Sequence, residues 1–393
     1  MVDTPRSLAA LQALFADNTS GNISPQDLRD FLVSCEDTMG TLARSGSPYC
    51  DTPRGMNLVK QGLVLEVGGG GAWDEGLVES PCVFFDPVSG RYAMVYVGYN
   101  EGGTVVAKIG LAYADDPAGP WEKVATPILG GSGSGVDSSG CSGPLVVWKD
   151  GTYYLFYIGL TAPGYEQGTK RLCLATATSL TGTWTRLGAV ISPSGSGWRA
   201  IAIWHPNVVR AKGRYYLFFN ATGGDNVESI GYAVADVLTG PWVVDDVNSP
   251  VVSKGASGWD SGWVGDPAVF WTGAIWLMAY YGYDYTHAYD GYAWTTPEDF
   301  PLGWQKFAGN PVLSPGPDAY DSGYACKPFI FLTPTTLYHY YTAVNGERQI
   351  ALATASLGWP LPRTVTGSRG GNAALGSLLT ALEGLGLIVD STT

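Results

Sequence analysis

The chain has 393 residues, 15% charged, 45% hydrophobic and 12% aromatic, a balance that buries a core and excludes a disordered chain. Its net charge is -13, with no cluster of Lys or Arg, so the basic footprint that a nucleic-acid partner requires is missing. No apolar run approaches the roughly 18–20 residues that cross a bilayer, and membrane insertion is not expected.

The opening MVDTPRSLAAL has no basic stretch followed by an apolar one, so no secretory signal is read there. Residues 4–34 read as two short helices, with Thr4-Pro5 and Ser24-Pro25 each supplying an N-cap and a first-turn proline. Leu8, Leu11, Leu14 and Phe15 give the first helix its apolar stripe. The intervening ADNTSGNISPQD has the outline of a calcium loop but few carboxylates, and calcium would bind it weakly at best. Residues 1–45 are therefore expected to be a helical attachment module. The six cysteines (35, 50, 82, 141, 173 and 326) lack CxxC spacing and His neighbours, which predicts free thiols. No metal and no cofactor are expected.

From residue 58 to 360 the chain repeats. WDEGLVESP (from Trp73), VDSSGCSGP (136), WRAIAIWHP (198), WDSGWVGDP (259) and YDSGYACKP (320) align without gaps. Each precedes an apolar run, a turn, an aromatic strand such as GTYYLFYIGL, and a third strand leading to tryptophan, as in LCLATATSLTGTW. Four of these tryptophans are followed by an edge-like strand. The fifth copy lacks one, and GLVLE (62–66) stands where it should be. The pattern predicts an all-β, five-bladed β-propeller closed by its N-terminal strand, with short α-helical appendages at both ends. After a linker (361–371), NAALGSLLTALEGLG carries Leu375, Leu378, Leu379 and Leu382. Residues 372–393 thus read as a helix-strand tail for docking or homo-oligomerisation.

In a propeller the first strands of the blades line the central channel. The two residues before each repeat proline are then the informative ones: Glu79-Ser80, Ser142-Gly143, Trp204-His205, Gly265-Asp266 and Cys326-Lys327. The repeated Asp74, Asp137, Asp260 and Asp321 are expected to cap turns. Trp204 can stack on a sugar, and His205 can bond one or be structural. The loops at the mouth add Tyr283, Asp284, Tyr285, His287 and Asp290 from GYDYTHAYDGY, Tyr165 and Glu166 from blade two, and Asp225 and Asn226 from blade three.

On the AxAxxxxGxW phrases and the Asp-Pro of GDP (265–267), residues 58–360 resemble the five-bladed propeller glycosidases: the arabinanase, xylosidase, fructosidase and mannoside-phosphorylase superfamily. The resemblance implies a base at Asp266 and an acid at Glu79, working as a carboxylate pair. Where that family has a third carboxylate this chain has Lys327, which could instead neutralise Asp266. The end segments resemble short modules of tailed-bacteriophage structural proteins. That second resemblance implies a virion fibre or spike protein, assembled in the host cytoplasm. Its propeller would recognise host cell-surface carbohydrate, and its N-terminal module would bind other virion proteins. An active glycoside hydrolase and an architectural virion decoration are the alternatives.

Overall fold

A computed structural model describes residues 57–100, 106–164, 167–333 and 335–357, together with the strands 363–367 and 388–392 by their backbone. The expected helices, the calcium-like loop, Cys35, Cys50, Tyr165 and Glu166 lie outside the described residues.

The described chain is all-β. Strand β1 (Val59–Leu65) is followed by β2 (Leu77–Asp86), β3 (Arg91–Tyr99), β4 (Lys108–Ala114) and β5 (Glu122–Lys123). Next come β6 (Gly140–Lys149), β7 (Thr152–Leu160), β8 (Lys170–Ala177) and β9 (Thr185–Ile191). The third stretch holds β10 (Ala202–Ile203), β11 (Asn207–Ala211), β12 (Arg214–Thr222), β13 (Glu228–Ala235) and β14 (Val243–Val244). The fourth holds β15 (Trp263–Trp271), β16 (Trp276–Tyr283), β17 (Ala288–Thr295) and β18 (Gln305–Lys306); the fifth holds β19 (Tyr324–Leu332), β20 (Thr336–Asn345) and β21 (Glu347–Ser356). Within each stretch the strands pair antiparallel in sequence order, with β10 and β11 both set against β12. Strand β1 pairs antiparallel with β21, Val59 opposite Thr354 and Leu65 opposite Ile350. The innermost strands touch in the order β2, β6, β11, β15, β19 and again β2, a closed circuit of propeller type. Three single 3-10 turns, such as Gly135–Asp137, are the helical elements among the described residues.

The Asp repeated in four of the five units turns out to be an anchor more than a turn cap. Asp74, Asp137, Asp260 and Asp321 are all buried. Each accepts a bond from a tyrosine hydroxyl of the second strand: Tyr96 at 3.0 Å, Tyr157 at 2.8 Å, Tyr280 at 3.4 Å and Tyr341 at 2.9 Å. Each also meets a cation from the fourth strand: Lys123 (2.7 Å), Arg186 (2.8 Å), Lys306 (2.5 Å) and, for Asp321, Lys60 of β1 (2.5 Å). A buried carboxylate needs such partners to offset its lost hydration. The third unit reverses the charges, with Arg199 in the Asp slot bonded to Asp246 at 2.6 Å. Between the sheets the core is aliphatic and aromatic, with Phe156, Phe218 and Tyr340 fully buried.

Two further strands follow, β22 (Arg363–Gly367) and β23 (Ile388–Thr392), paired in parallel with Arg363 opposite Ile388. The stretch expected as linker thus contains a strand. Its Thr-Val-Thr run is β-branched, which suits a pleated surface better than a turn.

Candidate active site

The five prolines of the repeat create the site. In four units the inner strand bulges at its proline, with register shifts at Glu79/Cys82, Ser142/Leu145, Gly265/Ala268 and Cys326/Phe329. The residue before that proline is left-handed in each: Ser80 (φ 54°), Gly143 (49°), Asp266 (50°) and Lys327 (57°). Three of these are not glycine, and such a conformation costs on the order of 1–3 kcal/mol unless the surroundings hold it. In the third unit the strand breaks altogether between β10 and β11, and Trp204, His205 and Pro206 occupy the gap.

These distortions open a cleft of about 510 Å³, whose walls include Glu79, Trp204, His205, Glu228, Asp266, Tyr283, Lys327 and Arg348. Asp266 is held by its neighbours: its backbone N–H donates to Asn220 Oδ1 at 3.1 Å, and its Oδ1 lies 2.5 Å from His205 Nδ1. His205 Nε2 in turn lies 3.0 Å from Ser80 Oγ, so this imidazole bridges two units. Glu79 is fully buried, with Oε2 accepting from Arg348 Nη1 at 2.9 Å and Oε1 3.5 Å from Lys327 Nζ. Burial alone would raise its pKa, but the Lys327 and Arg348 charges outweigh that and hold it below the usual carboxylate range.

Glu228, at the start of β13, is the opposite case. Its Oε2 accepts from Asn220 Nδ2 and Tyr281 OH, each at 2.8 Å. Burial in the cleft wall, reinforced by the Asp266 charge, pushes its pKa up to about 7 against the pull of those two donors. The close approach of Asn220 and Tyr281 depends on Gly265, where a Cβ would lie 2.4 Å from Asn220 Nδ2 and 2.5 Å from Tyr281 Cε1. Here is a carboxyl that holds a proton near neutrality in the same cleft as a second carboxyl group, that of Asp266. Such a pair can donate a proton and accept one.

Of the residues chosen from sequence, Glu79, Trp204, His205, Asp266, Tyr283 and Lys327 meet in this cleft. Their partners differ from expectation. Lys327 faces Glu79, whereas Asp266 meets His205, and the cations around Glu79 disfavour the proton that an acid must carry. Trp204 is buried, donates through Nε1 to Thr222 Oγ1 at 2.8 Å, and has the Lys170 ammonium 5.1 Å from its ring centre.

Asp284, His287 and Asp225 do not line the cleft. Asp284 accepts from the backbone N–H groups of Thr286 (2.8 Å) and His287 (2.7 Å), fixing the turn after β16. His287 packs edge-on to Tyr289. Asp225 borders a separate groove with Trp198 and Lys254. Asp290 is fully buried outside the cleft lining, its Oδ2 2.9 Å from His339 Nε2. Burial raises the Asp290 pKa and lowers that of His339 to about 3. Glu228, Arg348, Trp263 and Tyr324 are cleft residues that sequence reasoning missed.

Among the described residues no group of three or more His, Cys, Asp or Glu is arranged to hold a metal. Cys82, Cys141, Cys173 and Cys326 are free and buried, and burial pushes the Cys82 thiol up to about 12.

The family model for glycosyl hydrolases family 43 matches residues 81–296. No curated protein sequence matches the chain. Solved structures do. The protein BT0996, solved as an RGII complex, aligns with a TM-score of 0.64 at 21% identity, covering 81% of this chain and 95% of that one. A putative glycosidase from Bacteroides thetaiotaomicron gives a TM-score of 0.58 at 16% identity, covering 78% and 97%. A member of the GH130 mannoside phosphorylases, a family reported to contain hydrolases that target β-1,2 mannosidic linkages in Candida mannan, gives 0.59 at 16% identity, covering 77% and 92%. At these identities the structural likeness speaks for the fold.

Proposed function

Because the chain belongs to glycosyl hydrolases family 43, we propose that it is an active glycoside hydrolase with Glu228 as general acid and Asp266 as general base. The observation that carries this reading is the Glu228 carboxyl, raised to about 7 on the wall of a 510 Å³ cleft that also holds Asp266. In the reaction Glu228 gives its proton to the departing glycosidic oxygen as the C–O bond breaks. Water attacks the anomeric carbon and loses its proton to Asp266. Glu79 stays ionised and holds Lys327 and Arg348 at the cleft wall. The closed circuit of inner-strand contacts supports counting the five four-stranded units as blades of one five-bladed propeller.

The reading of a carbohydrate-recognising virion fibre rests on the end segments, most of which lie outside the described residues, and no feature of the cleft favours it. Attachment through residues 1–45 and self-association through 372–393 belong to that reading.

The test is reducing-end release from a panel of polysaccharides, wild type beside Asp266→Asn. Asn tolerates the left-handed backbone of position 266, so the variant isolates the carboxylate. Release by the wild type and a loss of about 10²–10⁴-fold in the variant is the expected result. Equal release by both would remove Asp266 from the chemistry.

Gly265→Ala probes the acid without touching it. The added methyl displaces Asn220 and Tyr281, the donors that favour ionised Glu228. The alkaline limb of kcat/KM, expected near pH 7 in the wild type, should then move upward. An unshifted limb would show that those donors do not set the acid's pKa.

A further inference from the structure

An aromatic wall climbs from Glu228 to the rim of the cleft. Tyr281, which bonds Glu228, and Tyr283 project from the same face of β16, two residues apart. Trp263 lies opposite Tyr283 on β15, their rings parallel with centroids 4.9 Å apart and 6° between planes. The Trp263 Nε1 donates to the carbonyl of Asn226, two residues before Glu228, at 3.1 Å. Tyr285 then leans on both rings, 5.8 Å from Trp263 and 6.0 Å from Tyr283. It is 60% exposed and left-handed (φ 73°), a conformation disfavoured for a bulky side chain. The Asp284 carboxylate fixes that turn. A large ring held in water, in a strained turn, on top of a stacked pair contributes nothing to a core.

We propose that this wall is the subsite for the leaving-group saccharide, with Tyr285 as its outer platform. The proposal rests on Glu228 being the acid, as argued above. A general acid protonates the departing oxygen, so the departing group lies on its side of the scissile bond. The wall begins at Glu228 and runs outward, and its aromatic faces match the apolar C–H faces of a sugar ring. The substrate is accordingly an oligosaccharide or polysaccharide, in which a second sugar unit occupies the wall while the first is cleaved.

Affinity electrophoresis of the full chain through gels cast with arabinan, xylan, mannan or levan tests the platform without requiring turnover. Retardation in at least one gel, weakened about tenfold in Tyr285→Ala and restored in Tyr285→Phe, is expected. No retardation in any gel, or equal retardation of Tyr285→Ala, would overturn the proposal. For direction, the polymer that is cleaved is compared with the glycosyl fluoride of the sugar it releases, since fluoride departs without touching the wall. Tyr285→Ala should lower the polymer-to-fluoride ratio of kcat/KM about tenfold, mainly through KM. An unchanged ratio would place the wall on the other side of the bond and overturn it. Retardation of a polymer that is never cleaved would instead sink the hydrolase reading and with it the leaving-group assignment. Cleavage with an indifferent Tyr285→Ala would sink the subsite alone.

Discussion

Glu228→Gln is expected to cut hydrolysis of an unactivated saccharide by about 10²–10⁴-fold, the contribution of a positioned general acid. The amide is nearly isosteric, and its oxygen can still accept from Asn220 and Tyr281, so the cleft wall keeps its shape. What disappears is the proton. A substrate whose leaving group departs as a stable anion does not need that proton, so glycosyl fluorides should lose far less than polysaccharides. The pH profile should change with it. In the wild type the rate should fall as pH rises through about 7, where Glu228 would give up its proton; the variant's residual activity should lose that limb. Stability should depend on the same proton. A carboxyl raised from 4.5 to about 7 binds a proton in the folded state that the unfolded chain has already lost. Wild-type stability therefore declines between those two values as pH rises, and the amide removes the decline. Thermal unfolding at pH 5 and pH 8 should show the variant gaining on the wild type at the higher pH. Equal losses on polysaccharide and fluoride would overturn the assignment of Glu228 as acid.

The sequence repeat made the inner strands legible because their bulge recurs at the same proline, and with it the residues that face the cleft. Glu79, His205, Asp266 and Lys327 were found that way. The same logic missed Glu228, because that residue opens the third strand of its unit rather than the first. The loop ATGGDNVES was singled out from sequence, but for Asp225 and Asn226, of which Asn226 lines the cleft. The two carboxylates fall on opposite sides of the β12–β13 hairpin: Asn226 in its turn and Glu228 at the start of β13 line the cleft, whereas Asp225, Val227 and Ser229 border the neighbouring groove, an alternation set by the turn. The phase of that alternation was open until the register was known, Thr222 opposite Glu228 across β12 and β13. Pairing was likewise beyond the sequence. Lys327 precedes its proline just as Asp266 does, and nothing in the spacing tells which carboxylate it meets. Arg348, near the start of the fifth unit's third strand, was missed for the same reason as Glu228. The aromatic wall was half visible, since Tyr283 and Tyr285 stood in a flagged loop. Trp263 and Tyr324, inside repeat segments, were not singled out.

The ring's closure should be its weakest joint, and Lys60→Met is expected to cost about 3–5 kcal/mol, the range for leaving one member of a buried ion pair without its partner. Asp321 is fully buried, and Lys60 Nζ lies 2.5 Å from its Oδ2 while also donating to the carbonyls of Ser314 (2.8 Å) and Gly316 (2.6 Å). Without the ammonium, Asp321 keeps the Tyr341 hydroxyl and the Gly316 N–H as donors but no countercharge. Lys306 serves Asp260 in the same way, with its side chain 35% exposed against 15% for Lys60. The greater difference is topological. β18 follows β17 in sequence, so loosening it is local. β1 reaches β21 from the far end of the chain, and its ladder is already interrupted between Lys60 and Gly62 and between Leu63 and Leu65. Losing its anchor should free the whole strand, reduce the fifth unit to three strands and expose an edge. Urea unfolding should therefore show a larger loss for Lys60→Met than for Lys306→Met, with proteolysis near residue 60 accelerated in the first alone. Lys60→Arg should recover much of the loss by keeping the charge. Pairing Lys60→Met with Asp321→Leu should recover part of it too, because removing both charges of a buried pair is far less costly than removing one. Equal costs for Lys60→Met and Lys306→Met would mean that closure by the N-terminal strand is no more fragile than any other hairpin in the ring.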